Sequence, residues 1–279
     1  MEIGLDHIEL VKKQNHLKYN KLLKPFWIVN LMQPKVLVCC TVADVKEYCL
    51  EPYIQAIKKL TYENKDILLA DNSKTEDYMN KINSMGIKCV KTEYKESIPE
   101  RVIIGMNYLR EYFLKNDYDY FLCLQQDVIA PENIIELLLE SQKEITTAVV
   151  PHLLLQNGKE KEIALLGIDD KNNPGKITYI DYDSTKQYVK GLVKVDFCAT
   201  TCLLISRKVL EKIKFRYEKR ENSTNDLDVN WDDICFCQDA KKEGFQIYAN
   251  LAAKCEHLFY GGFSVTLGDT RGIKKVIKS

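Results

Sequence analysis

Polar and acidic side chains follow three short apolar runs of this sequence. The runs are residues 35–40, 66–70 and 121–124, and the polar residues after them are Thr41 to Asp44, Asp71 to Ser73 and Gln125 to Asp127. A continuous apolar run between turn signals is typical of a strand buried on both faces of a parallel sheet. Open α/β sheets bind ligands at the carboxyl ends of such strands. The sequence therefore predicts that Asp71 and Asp127 line one ligand-binding edge, although each also suits a simple turn.

A second group of candidate residues lies near the C-terminus. Trp231 precedes the acidic pair Asp232-Asp233, and His257 follows in the sequence CEHL. A carboxylate can remove the proton of a hydroxyl group, and an imidazole can bind a metal ion. Structural roles also fit these residues: the acidic pair suits a helix start, Trp231 can pack in a core or loop, and His257 can be a hydrogen-bonded residue near a strand end.

The elements that must position these residues alternate regularly in the first half of the chain. Strands are predicted at 35–40, 66–70, 87–90 and 118–128, separated by helices that carry apolar residues on one face. The first helix is expected to break near Pro52, and the second to end at Gly86. The order β-α-β-α-β-α-β predicts a parallel sheet with helices on both faces.

The second half of the chain is less regular. The predicted strands are 147–150, 163–166, 177–180, 192–196, 201–205 and 245–249, and the predicted helices are 207–213 and 231–242. Residues 172–175, Asn-Asn-Pro-Gly, form a strong turn signal that predicts a hairpin between two of these strands. The charged stretch 218–230 is predicted to be a surface loop.

The composition excludes several classes of protein. The chain has 279 residues, of which 46% are hydrophobic, so a sizeable core is expected. Forty basic residues balance 40 acidic ones, which provides no net attraction to nucleic acid or anionic membranes. The N-terminus lacks the pattern of a secretory signal, and no transmembrane segment is predicted. Ten cysteines without a CxxC pair indicate reduced thiols and a cytoplasmic location.

The order of these pieces resembles the GT-A nucleotide-sugar glycosyltransferases, in particular glycosyltransferase family 2. The resemblance covers roughly residues 35–262. It depends on the first strand with its Thr41 turn, the second strand ending in Asp71-Asn72-Ser73, the fourth ending in Gln125-Gln126-Asp127, and the sequence WDDICFCQDAKKEGFQIYANLAAKCEHL. The preceding VDFCATTCLLISRKVLEKI resembles the acceptor-side strand of the family. Each motif is weak alone, and their common order and spacing carry the resemblance.

The resemblance implies a fold, a reaction and a domain organisation. The fold would be GT-A (Rossmann-like), with a mostly parallel central sheet and a smaller acceptor-side β region. The reaction would be hexosyltransferase-like, moving a sugar from a UDP- or GDP-sugar to a hydroxyl of a glycan, lipid or protein acceptor with inversion. The implied parts are an N-terminal extension (1–33), a glycosyltransferase domain (34–265) with nucleotide-binding (34–130) and acceptor (131–265) halves, and a basic tail (266–279).

The resemblance also implies roles for individual residues. Those implied to bind the nucleotide sugar are Thr41, Asp44, Asp71, Asn72, Gln125 and Gln126. Arg101, in the first turn of its predicted helix, is placed to donate to the diphosphate, although a solvated position on the helix suits it as well. Trp231 and Asp232 would face the acceptor, and Asp233 would be the catalytic base. Asp127 and His257 would bind Mn²⁺ or Mg²⁺, which neutralises the departing diphosphate.

One position departs from the family pattern. The family commonly has Asp-x-Asp at the end of the fourth strand, whereas this chain has Gln125 at the first position. An amide oxygen can bind a cation or a ribose hydroxyl, but it supplies no charge. The substitution therefore weakens the expectation of metal dependence more than the expectation of donor binding.

Two other functions compete with glycosyl transfer. A non-catalytic protein that binds nucleotide sugars or glycans on the same fold would explain Gln125, but Asp127, Asp233 and His257 together favour an enzyme. A nucleotidyltransferase would carry a glycine-rich phosphate loop after the first strand, and the sequence CTVADVKEY at that place has no glycine.

Overall fold

A computed structural model describes residues 33–156, 159–173, 177–181, 191–221, 227–259, 263–266 and 273–275. Residues 1–32 of the predicted N-terminal extension lie outside the described residues, as do 267–272 and 276–279 of the predicted basic tail. In the part of the chain that is described, no helix is long and apolar enough to cross a membrane.

A twisted array of strands forms the centre of the protein. Its strands are β1 (Val36–Val42), β2 (Lys65–Asp71), β3 (Cys89–Lys91), β4 (Tyr120–Leu124), β6 (Ile145–Val149), β10 (Leu192–Val195), β12 (Cys202–Ser206) and β15 (Ile247–Lys254). The spatial order is β10-β15-β6-β12-β4-β1-β2-β3. The pairs from β4 to β3 and the pair β6–β15 are parallel, whereas β10 and β12 are antiparallel to their neighbours. The predicted α/β class with a mostly parallel central sheet is confirmed.

Helices connect and cover these strands. They are a 3-10 helix (Asp44–Cys49), α1 (Leu50–Lys58), α2 (Asp77–Ser84), α3 (Ile98–Lys115), α4 (Ile134–Leu139), α5 (Arg207–Lys212) and α6 (Asp232–Lys242). The predicted break near Pro52 is confirmed, because a 3-10 helix ends at Cys49 and α1 begins at Leu50. Pro52 thus lies in the first turn of α1, where a missing N–H is tolerated. The 3-10 helix is itself kinked at Lys46.

Smaller sheets lie beside the central one. Their strands are β5 (Val128–Ile129), β7 (Pro151–Gln156), β8 (Lys159–Asp169), β9 (Ile177–Asp181), β11 (Phe197–Cys198), β13 (Glu218–Lys219), β14 (Val229–Asn230), β16 (Glu256–Phe259), β17 (Phe263–Thr266) and β18 (Ile273–Lys275). The predicted hairpin is confirmed, because Asp169 pairs with Ile177 in an antiparallel ladder. The predicted surface loop 218–230 differs in part, since β13 and β14 pair across it.

Packing in the core fixes the first strands and therefore the positions of their carboxyl ends. Residues 36–40 of β1 and 121–124 of β4 are buried, as expected for strands covered on both faces. Phe121 packs edge-on against Phe113 of α3, with ring centroids 5.7 Å apart. All ten cysteines are buried and free of disulfide bonds, so they act as small apolar core residues.

Gly105 lets α3 approach the end of β1 closely. A Cβ atom at this position would lie 2.5 Å from Thr41 Cγ2 and 3.7 Å from Thr92 Oγ1. The shorter separation is far below van der Waals contact, and a β-branched threonine has little χ1 freedom with which to move away. The glycine therefore fixes the distance between α3 and the strand end that begins the predicted ligand-binding edge.

We expect Gly105→Ala to lower the free energy of unfolding by about 1–3 kcal/mol, because the new methyl group overpacks this contact. The better helix propensity of alanine, worth about 1 kcal/mol, acts in the opposite direction. Urea denaturation followed by circular dichroism measures the difference. The double variant Thr41→Ser/Gly105→Ala lacks the colliding Cγ2 atom and should regain most of the lost stability. A single variant as stable as the wild type would contradict this account of the packing.

Candidate active site

The carboxyl ends of β2, β1 and β4 lie side by side and form one edge of the central sheet. The backbone N–H of Asp44, just after β1, donates to Ser73 Oγ at 2.9 Å. The N–H of Asn72, just after β2, donates to the carbonyl oxygen of Val42 at 3.0 Å. These hydrogen bonds tie two of the three polar turns together at this edge of the sheet, which we call the rim.

Asp71 is fully buried at this rim. Its Oδ1 accepts a hydrogen bond from the N–H of Ser73 at 2.9 Å. Its Oδ2 has no hydrogen-bond partner among the described residues, and the Lys91 ammonium lies 4.0 Å from it. Asn72 Oδ1 is likewise buried without a hydrogen-bond partner in that part of the chain. Leaving a buried carboxylate oxygen without a hydrogen bond is costly, and the nearby Lys91 ammonium offsets part of that cost.

Gln126 joins the turn after β4 to the segment after β1. Its Oε1 accepts from the N–H of Ala43 at 3.2 Å, and its Nε2 donates to the carbonyl oxygen of Lys46 at 3.0 Å and to the Tyr78 hydroxyl. The side chain is buried and both polar atoms have protein partners. We therefore assign Gln126 a positioning role at the rim, whereas the adjacent Gln125 is partly exposed.

Asp127, Lys46 and His257 meet beside this rim. The Lys46 ammonium donates to Asp127 Oδ2 at 2.8 Å, and His257 Nε2 lies 3.7 Å from the same oxygen. His257 Nδ1 is 2.9 Å from the carbonyl oxygen of Pro151, which can only accept, so Nδ1 donates. Pairing of β16 with β5 places His257 opposite Val128. The sheet register thus brings together two residues that are far apart in sequence.

Charge compensation keeps the Lys46–Asp127 pair ionised. Burial opposes ionisation of Asp127, but the contact with His257 and the charge of Lys46 hold the pKa of its carboxyl well below the usual range. Burial likewise disfavours the charged form of Lys46, and the Asp127 carboxylate more than offsets it, so the pKa of Lys46 is raised. At neutral pH the pair is therefore an ammonium and a carboxylate. Asp127 Oδ1 is buried without a hydrogen-bond partner within the described part of the chain.

Sequence reasoning missed Lys46. The residue lies in the turn that follows the first buried strand, near the predicted site residues Thr41 and Asp44. A lysine in a turn at the carboxyl end of a buried strand is a recognisable signal for an anion-binding group. Nothing local shows that its partner is Asp127, because that pairing depends on β1 and β4 being neighbours in the sheet.

The start of α6 carries the acidic pair. Trp231 is the N-cap residue, and Asp232 and Asp233 occupy the first turn. The buried Asp232 accepts a hydrogen bond from Thr200 Oγ1 at 2.8 Å, and burial raises its pKa. Burial and the charge of Asp232 raise the pKa of the Asp233 carboxyl to about 7. A carboxylate with a pKa near neutrality is well matched to removing a proton from a hydroxyl group.

Electrostatic contacts connect the acidic pair to the rim and to the smaller sheet. The charge of Lys46 partly counters the burial that raises the pKa of Asp232. Burial raises the pKa of Tyr179 in β9, and the charge of Asp233 raises it further. Tyr179 is 37% exposed and packs edge-on against Phe197. The acidic pair is thus within electrostatic range of both the Lys46 ammonium and the partly exposed Tyr179.

The remaining predicted site residues lie around the same edge or at its margin. Thr41 closes β1 under α3, and Asp44 is exposed, with Oδ1 accepting from the N–H of Val45 at 2.9 Å. The Arg101 guanidinium lies over the ring of Tyr94, with 5.3 Å between its Cζ atom and the ring centroid. This stacking accounts for the position of Arg101 without a ligand.

The donor set beside Asp127 does not fit a divalent cation. No group of three or more His, Cys, Asp or Glu side chains that could hold a metal ion occurs among the described residues. Asp127 Oδ1 and His257 Nε2 are two candidate ligands, but the carboxylate already balances the Lys46 ammonium. Because that pair has no net charge, it offers a divalent cation no net electrostatic attraction.

Comparisons with known proteins found similar folds at low identity. No family model matches the chain, and no curated protein matches it. The chain is similar to the crystal structure of A197 from STIV, with a TM-score of 0.41 and 13% identity, covering 88% of this chain and 98% of that one. It is also similar to the mannosyltransferase PcManGT from Pyrobaculum calidifontis in complex with GDP-Man and Mn²⁺, with a TM-score of 0.46 and 10% identity, covering 78% of this chain and 57% of that one. The function of this chain has to be inferred from its own cleft.

Proposed function

We propose that this protein transfers a sugar from a nucleoside diphosphate sugar to an acceptor hydroxyl with inversion at the anomeric carbon. The observations that carry the proposal are the Lys46–Asp127 ion pair at the end of β4 and the acidic pair in the first turn of α6, where burial and the charge of Asp232 raise the pKa of Asp233. A proton acceptor and a cationic group in one cleft are what an inverting transfer needs, since a hydroxyl loses a proton while a diphosphate departs.

The donor would bind along the rim. The unsatisfied Asp71 Oδ2 would accept an N–H group of the nucleobase, which both uracil and guanine possess. The diphosphate would then lie toward Asp127 and Lys46, at the end of β4. The acceptor would approach from the side of Trp231 and Tyr179, whose rings offer flat apolar faces to a sugar.

The chemical step is a displacement at the anomeric carbon. Asp233 takes the proton of the acceptor hydroxyl while the hydroxyl oxygen forms the new bond to the anomeric carbon. The bond to the diphosphate oxygen breaks at the same time, and its electron pair stays on the diphosphate. Asp233 must be ionised before the reaction, which a pKa of about 7 allows at neutral pH.

A panel of UDP- and GDP-sugars tests the proposal. We expect one nucleotide class to raise the melting temperature by several degrees, because ligand at about 100 times its Kd stabilises the folded state by about 2.7 kcal/mol. Release of the nucleoside diphosphate, followed with and without glycan, lipid and peptide acceptors, then measures turnover. Binding without turnover across all acceptor classes would favour a non-catalytic binding protein. The absence of any shift would contradict the proposed donor.

A further inference from the structure

We propose that the Lys46 ammonium supplies the positive charge that stabilises the departing diphosphate, in the place where the family resemblance implies a divalent cation. This inference rests on the proposed function, because it assigns a residue to the diphosphate of the proposed donor. It starts from the misfit between a divalent cation and the donor set at the end of β4.

The Lys46 side chain is held at its ammonium and is partly exposed along its length. Within the described residues it donates to Asp127 Oδ2 alone, at 2.8 Å. The Lys46 side chain is 37% exposed, whereas that of Asp127 is only 11% exposed. An ammonium has several N–H donors, so it can keep its bond to Asp127 and still donate to a phosphate oxygen. Such charge-assisted hydrogen bonds to phosphate are among the stronger ones in proteins.

Two consecutive residues hold Lys46 at both ends. Gln126 Nε2 donates to the Lys46 carbonyl oxygen at 3.0 Å, and Asp127 accepts from its ammonium. The 3-10 helix that carries Lys46 departs from helical dihedral angles at this residue, with φ −103° and ψ 21°. Backbone and side chain are thus both fixed by the turn after β4, and a fixed cation can stabilise developing charge without reorganising during the reaction.

The charges of the cleft explain why a lysine suits this position. Gln125 provides no charge where the family pattern has a carboxylate, so Asp127 is the charged residue of that turn. Asp127 alone balances one ammonium, so without the diphosphate that turn has no carboxylate left to balance a divalent cation. When the anomeric carbon–oxygen bond breaks, the electron pair remains on the diphosphate oxygen, and Lys46 stabilises that charge by donation without giving up its proton.

Isothermal titration calorimetry with UDP and with GDP tests this assignment on the full chain. The wild type is titrated in excess EDTA and again in Mn²⁺. The same titrations are made with Lys46→Met, which removes the charge, and with Lys46→Arg, which keeps it. The matched control is Lys212→Met, since Lys212 forms an exposed ion pair with Glu243 at 3.4 Å outside the cleft.

We expect the wild type to bind one nucleotide in EDTA with an affinity within about threefold of that in Mn²⁺. Lys46→Met should weaken binding in EDTA by about tenfold or more, whereas Lys46→Arg and Lys212→Met should stay close to the wild type. Thermal unfolding of each variant checks that it is folded. If Lys46→Met does not fold, the wild-type affinities in EDTA and in Mn²⁺, together with the affinity of Lys46→Arg, still test the assignment.

Three outcomes would overturn the inference. Wild-type binding that requires Mn²⁺ would assign the diphosphate charge to a metal and leave the proposed glycosyl transfer intact. Equal affinity of wild type and Lys46→Met in EDTA would reduce the Lys46–Asp127 pair to a structural ion pair. Failure of both nucleotides to bind in either condition would overturn the proposed function itself, and this inference with it.

Discussion

Asp233→Asn should lower the rate of glycosyl transfer by about two orders of magnitude or more. Asparagine has nearly the same shape as aspartate but cannot accept the proton of an acceptor hydroxyl at neutral pH. The Asp233 side chain is not predicted to contact the nucleotide, so the affinity for the donor should stay close to that of the wild type. Single-turnover transfer assays at saturating donor separate the two effects.

The pH dependence of the same step gives a second measurement. The pKa of Asp233 is raised to about 7 by burial and by the charge of Asp232, and the ionised form is the active base. The transfer rate of the wild type should therefore rise with pH up to about 7 and level off above it, and the pH dependence should disappear in Asp233→Asn. Protonation of the base at lower pH accounts for the direction of the change.

Two variants on the same helix serve as controls. Asp239→Asn changes a carboxylate of α6 that forms an ion pair with Arg216 at 2.6 Å, so it should leave the pH profile of transfer unchanged. Asp232→Asn should lower the activity less than Asp233→Asn does, because Asp232 accepts a hydrogen bond from Thr200 and raises the pKa of Asp233 but does not itself take the proton. Retention of the anomeric configuration in the product, or near-normal turnover of Asp233→Asn, would remove Asp233 from the role of base.

Asp71→Asn should weaken binding of the nucleotide by about tenfold to a hundredfold, since a hydrogen bond to a buried charged group is worth about 1.5–3 kcal/mol. Asparagine can keep the hydrogen bond from Ser73 N–H through its carbonyl oxygen. Its amide group would then present N–H donors where Asp71 Oδ2 lies, and these would repel the N–H of a nucleobase. Titration calorimetry with UDP and GDP measures the loss.

Asp66→Asn is the matched control for Asp71, because the residue lies near the opposite end of the same strand. Asp66 accepts a hydrogen bond from the Tyr118 hydroxyl at 2.8 Å and is far along β2 from the rim. This variant can change stability through that contact, but nucleotide affinity should be unaffected. Equal losses of affinity in the two variants would show that Asp71 acts through the stability of β2 rather than through the nucleobase.

Burial along the strands was predictable from sequence. A buried parallel strand reads as a continuous apolar run, and this local signal located β1, β2 and β4 and the polar turns after them. The acidic pair at the start of α6 was likewise predictable, because a helix beginning has a local signature. The proline signal was informative as well, because the helical segment divides at Cys49–Leu50, just before Pro52.

The partners within the cleft depended on the tertiary structure. Lys46 and Asp127 are neighbours because β1 and β4 pair directly, and His257 reaches Asp127 because β16 pairs with β5. The raised pKa of Asp233 results from burial by elements that lie elsewhere in the sequence. Strand pairing and burial involve residues with large sequence separations, whereas a single sequence reports only the preference of each segment for its own local structure. The chain thus specified which groups were available for chemistry, and the sheet order determined which of them meet.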